Sequence, residues 1–130
     1  GNRRQRELEK DDQTNQNSDM TEQLLEDLKQ IAIPRHSKWD ALGLMSVRNY
    51  VKERLSNFGE LEEHTFKEGS EEGINYILKL PGQNQKLEPM LIGAHYDGPI
   101  QSPGADDNAS AVAALLELCK RWKESPKELT

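Results

Sequence analysis

The chain has 130 residues, 34% of them hydrophobic and 31% charged, with a formal net charge of -6 at pH 7, which leaves room for one domain with a modest core and a well-hydrated surface. The acidic balance argues against nucleic acid as a partner, because phosphate binding needs a basic patch and none of the 17 Lys and Arg cluster beyond the first few residues. No apolar run reaches the ~18 residues of a membrane span and no signal-peptide core is present, so the sequence reads as soluble with its compartment open.

Residues 1–19, GNRRQRELEKDDQTNQNSD, hold a single large apolar residue, Leu8, among charges and amides. Such a segment buries too little surface to offset its ordering entropy, and it is expected to be a disordered polar tail outside a domain at 20–130. Asp19 and Glu22 are spaced as a capping box, and Leu24, Leu25, Leu28 and Ile31 then fall on one helical face before Pro34. A second helix is expected from about Asp40, with Leu44, Val47, Val51, Leu55 and Phe58 as its apolar face and Gly59 as its C-cap. His36, in the link between the two helices, has no companion ligand nearby, and a local hydrogen-bonding role is expected for it.

Leu61–Phe66 and Ile74–Leu80 alternate in polarity about the polar run EGSEEG, which predicts a β-hairpin closed by Pro81-Gly82. His64 reads as a surface residue of that hairpin. Pro89–His95 is nearly continuous in apolar residues, the pattern of a strand covered on both faces. Residues two apart on a strand share a face, so His95 and Asp97 can lie side by side, the carboxylate fixing the imidazole tautomer while the other ring nitrogen meets a metal. After a loop with two prolines, Asp106-Asp107-Asn108 opens an apolar helix running to about Glu124 and ended by Ser125-Pro126. One acidic residue there is an ordinary N-cap. Two adjacent aspartates soon after His-x-Asp point to a cation, which relieves the repulsion of crowded carboxylates. The single cysteine, Cys119, lies on the apolar face of this helix and is expected to be a core thiol.

Gly93-Ala94-His95-Tyr96-Asp97, followed by Ser102-Pro103-Gly104-Ala105-Asp106-Asp107-Asn108-Ala109-Ser110, closely resembles the paired-zinc aminopeptidases and carboxypeptidases of peptidase family M28. A looser likeness runs from the helix at Asp40 to Glu117. The resemblance implies a partial three-layer α/β/α zinc-peptidase-like fold with a mixed sheet, truncated after the helix that follows the metal-binding loop. It implies that His95 and Asp107 are zinc ligands, Asp107 bridging two zincs, and that Asp97 orients His95. Asp106 receives no ligand role. Ser110-Ala111 stands where the family often has Ser-Gly.

The implied activity is metal-dependent exopeptidase hydrolysis, of the aminopeptidase type, with peptide or protein N-termini as substrate. The family places its general-base Glu and further ligands after this helix, where the chain offers only Glu117, Glu124 and Glu128 and no histidine. Glu62-Glu63 and Glu71-Glu72 precede His95 and do not match by order. No general base is therefore assigned, zinc is expected as two per complete site and one or none here, and this chain alone is expected to be inactive. Lys127–Thr130 stands where a next strand would start, so self-association through an open sheet edge is expected. The alternative is a non-catalytic peptidase-like module for binding or assembly.

Overall fold

A computed structural model describes residues 2–124 of the chain. In order they form α1 (Asn2–Ile31), α2 (Ala41–Ser56), β1 (Leu61–Glu68), β2 (Glu71–Leu78), a wide helical turn at Ala105–Ala109, and α3 (Ser110–Glu124). The architecture is α/β, helices packed with a small antiparallel sheet.

The first helix does not wait for the Asp19–Glu22 box but runs from Asn2. Residues 2–31 contain neither Gly nor Pro and are rich in Arg, Glu, Gln and Lys, so nothing local breaks a helix there. Its buried face also differs from the apolar face expected. Leu25 is exposed, whereas Asp27, one turn before Ile31, is fully buried beside it. The helix drifts past the Leu24–Leu28 row, and the polar residue sits inside because α2 supplies its partners. Asp27 accepts hydrogen bonds from the Tyr50 hydroxyl at 2.5 Å, from Arg54 Nε at 3.0 Å and Nη2 at 3.3 Å, and from Gln23 at 3.2 Å.

The second helix buries Leu44, Val47, Val51 and Leu55 as the spacing predicts. Its end is tightened by bonds from the Asn57 and Phe58 amides to Arg54 and Leu55 carbonyls, so Asn57 and not Gly59 is the C-cap. The hairpin pairs Leu61 with Leu78 through Glu68 with Glu71. Gly69, at φ +63, takes the first position of the two-residue turn, which a residue with a Cβ adopts only with strain. On β2, Ile74, Tyr76 and Leu78 are half-buried between exposed Asn75 and Ile77, the alternation read from sequence.

The core lies where the last turns of α1 meet α2 and α3: Ile31, Val47, Val51, Leu55, Phe58, Ala109, Val112, Leu116 and Cys119. Leu61, Tyr76, Leu78 and Leu80 bring the hairpin against it. α3 is described to Glu124, and Ser125-Pro126 and Lys127–Thr130, expected to end it and to begin a strand, lie outside the described residues.

One expectation fails plainly. Pro89–His95 is not a strand: it has no ladder partner among the described residues, and Met90, Leu91 and Ile92 are exposed. A doubly apolar strand needs neighbours in the hydrogen-bonding direction and layers on both faces, and the described residues furnish neither. The mixed sheet is accordingly absent among them, and only the antiparallel hairpin forms.

Candidate functional site

The segment after Ala94 comes to order at Tyr96. Its hydroxyl donates to the Ile74 carbonyl of β2 at 2.6 Å and accepts from Arg48 of α2 at 3.3 Å, and its ring meets Tyr76 at 5.9 Å. An inward Tyr96 turns its neighbours outward, so His95 and Asp97 share the solvent side. His95 Nδ1 and Asp97 Oδ1 are 3.0 Å apart.

The other half of the site is set by the turn before α3. Gly104, at φ +59, starts that turn, and its carbonyl accepts from the Ala109 amide at 3.1 Å. Asp107 (φ -120, ψ 80) and Asn108 (φ -141, ψ 31) leave the helical path, and the peptide between them is cis. The regular helix therefore begins at Ser110, two residues later than the N-cap role of these aspartates implies. Asp107 Oδ1 lies 3.2 Å from His95 Nε2. Asp106 is exposed on the same turn.

Thus His95 stands between two carboxylates, Asp97 at one ring nitrogen and Asp107 at the other. A neutral imidazole donates from one nitrogen only. If Nδ1–H is given to Asp97, the Nε2 lone pair faces an oxygen lone pair of Asp107, and either a proton or a metal cation must lie between them. Two donors held ~2.1 Å from one zinc at a tetrahedral angle are about 3.4 Å apart, close to the spacing found. Donor types and separation therefore fit two positions of a zinc shell. Among the described residues no group of three or more His, Cys, Asp or Glu converges to complete one.

Arg35, which no motif in the sequence singles out, is fully buried beneath the site. Its Nε donates to the Tyr96 carbonyl at 2.7 Å, Nη1 to the carbonyls of Ile33 at 3.1 Å and Pro103 at 2.5 Å, and Nη2 to that of Gly104 at 3.0 Å. Its own carbonyl accepts from the Gly98 amide at 3.4 Å. Burial pushes the guanidinium below its usual range, while the nearby charges of Asp97 and Asp107 pull it back up. The only sequence signal was a cation in a short link after Pro34, and most of its partners lie more than 60 residues away.

The remaining candidates are accounted for locally. His36 Nδ1 accepts from the Lys38 amide at 3.1 Å, the local role expected of it. His64 is exposed on β1 beside Asn75. Glu62 and Glu63 pair with Lys79 and Lys52, Glu72 with Lys67, and Glu71 accepts from Ser37, so both Glu-Glu pairs serve the surface of the hairpin. Glu117 is buried in α3 and held by Arg121 at 3.2 Å.

Residues 75–130 match the family model of peptidase family M28, a stretch that contains His95, Asp97 and Asp107. The chain is 37% identical over 57 residues to a vacuolar membrane protease of Schizosaccharomyces japonicus, covering 44% of this chain and 7% of that protein. It is 37% identical over 51 residues to a vacuolar membrane protease of Schizophyllum commune, covering 39% of this chain and 6% of the relative. With endoplasmic reticulum metallopeptidase 1 of Rattus norvegicus it shares 34% identity over 55 residues, covering 42% of this chain and 6% of the relative. The chain thus spans a small part of the relatives it matches. No solved structure matches it. No helix of the described residues is long and apolar enough to cross a membrane.

Proposed function

Taking residues 75–130 as a segment of peptidase family M28, we propose that this chain carries part of the zinc site of a metal-dependent exopeptidase of the aminopeptidase type. His95 through Nε2 and Asp107 through its carboxylate would hold zinc, with Asp97 orienting the His95 ring through Nδ1. The observation that carries this reading is the 3.2 Å approach of His95 Nε2 to Asp107 Oδ1, with the opposite ring nitrogen already engaged by Asp97. Asp107, more than half exposed, can offer its second oxygen to a second zinc, the bridging role that the family resemblance implies.

When bound, zinc lowers the pKa of a coordinated water towards ~7 and polarises a scissile carbonyl. The chain's own residues supply the first donors and their orientation. No general base is assigned among the described residues, so hydrolysis needs groups beyond those gathered here, and peptide N-termini as substrates belong to the whole protein. The division of the chain at residue 20 into a polar tail and a peptidase-like portion is part of the same proposal.

Zinc content per folded chain after dialysis tests this reading. Zinc retained by the chain and lost in His95→Ala and Asp107→Ala, with His36→Ala and His64→Ala unchanged, is the expected result. Equal losses in all four variants would sink the assignment. A chain that retains no zinc would mean that His95 and Asp107 do not hold the ion by themselves.

A further inference from the structure

The metal-binding candidates come from two places in the chain, the His95-Tyr96-Asp97 segment and the turn at Ala105–Ala109, joined by a loop rich in Gly and Pro. Such a loop does not by itself hold His95 Nε2 and Asp107 Oδ1 3.2 Å apart. One side chain touches both ends. The Arg35 guanidinium grips the Tyr96 carbonyl between His95 and Asp97, and the Pro103 and Gly104 carbonyls just before Asp106 and Asp107. The Arg35 main chain adds a third hold at Gly98.

Two glycines make room for this grip. A Cβ at Gly98 would stand 3.1 Å from Arg35 Cγ and 3.3 Å from Cζ, and one at Gly104 would stand 3.2 Å from Nη1 and 2.5 Å from the Asp107 carbonyl oxygen. The planar fork reaches carbonyls in divergent directions at once, which an ammonium, a point donor on a flexible stem, does not do.

Resting on the zinc-site reading above, we propose that Arg35 is a positioning residue of that site, setting the distance between His95 and Asp107 by clamping both ends of the intervening loop. It touches neither the cation nor the substrate. A merely structural Arg35 would change the stability of the chain and leave the donors of the folded fraction where they are; a positioning Arg35 changes the donors themselves.

The test uses the full chain as wild type, Arg35→Lys and Tyr50→Phe, the last removing a hydrogen bond between α1 and α2 that is remote from the loop. Zinc dissociation constants come from competition with a chromophoric chelator, and the His95 ring signals of the zinc-free chain from nitrogen-15 NMR. Arg35→Lys is expected to weaken zinc by about 10- to 100-fold, the usual effect of losing a group that orients ligands, and to move the ring signals. Tyr50→Phe is expected to change neither. Wild-type zinc affinity and ring signals in Arg35→Lys would overturn the proposal, as would equal weakening by Tyr50→Phe. If the wild-type chain binds no zinc, the zinc reading fails and the ring signals decide alone: displaced signals in Arg35→Lys keep the clamp, unchanged signals remove it. Should Arg35→Lys fail to fold, Gly98→Ala displaces the guanidinium instead of removing it. Weakened zinc and displaced ring signals in that variant then support the clamp, and wild-type values of both overturn it.

Discussion

Asp27 is a carboxylate with no water to turn to, and four donors on three side chains take the place of its hydration. The cost of burying a charge is offset only when each such partner is in place. Tyr50 reports on this cluster through its own proton. Burial first, and then its bond to Asp27, hold the phenol well above the ordinary tyrosine value. In the unfolded chain that proton leaves near pH ~10, so the stability it confers is complete below ~10 and falls as pH rises towards the elevated value of the folded state. Tyr50→Phe is therefore expected to cost about 2 kcal/mol at neutral pH, the loss of a bond to a charged group, and to make the decline above ~10 shallower. Urea denaturation of both proteins at neutral and alkaline pH measures it. A parallel decline would contradict the assignment.

Among the elements, α2 joins the core to the site. Leu44, Val47, Val51 and Leu55 face the core, Tyr50 and Arg54 complete the Asp27 cluster, and Arg48 reaches Tyr96 next to the candidate ligands. Its first turn also passes tightly against the link that carries Arg35: a Cβ on Gly43 would overlap the Pro34 carbonyl oxygen. Alanine normally improves a helix by up to ~1 kcal/mol over glycine, but backbone overlap of this kind costs more than that gain. Gly43→Ala is thus expected to destabilise the chain by a net ~2 kcal/mol, read as a lower denaturation midpoint. A stabilised variant would show that the close approach is not there.

For the molecule as a whole, the largest discrepancy between apolarity and burial is the apolar segment before the site. Leu91 is 94% exposed and Met90 70%, while the core residues are almost wholly shielded. Exposed contiguous apolar surface promotes association. We expect concentration-dependent self-association, suppressed by Leu91→Lys and followed by light scattering. A monodisperse monomer at high concentration would refute it.

What could be read from one dimension was whatever rests on near neighbours. The apolar steps of α2 and α3, the alternation on β2, and the placing of His95 beside Asp97 depend on spacings of two, three and four residues, which backbone geometry converts directly into shared faces. The zinc-peptidase resemblance was legible for the same reason, since its motif lies in two short runs only a few residues apart. Periodicity did not reach the interactions between distant segments. It could not show that Asp27 would be inside and Leu25 outside, because Tyr50 and Arg54, more than twenty residues on, decide that. Nor could it show that Pro89–His95 has no ladder partner among the described residues, because pairing belongs to the neighbour as much as to the strand. Arg35 is the clearest case. Its identity promises a solvated cation, and only the convergence of carbonyls from Ile33, Tyr96, Pro103 and Gly104 around one buried fork turns it into the hub beneath the candidate site.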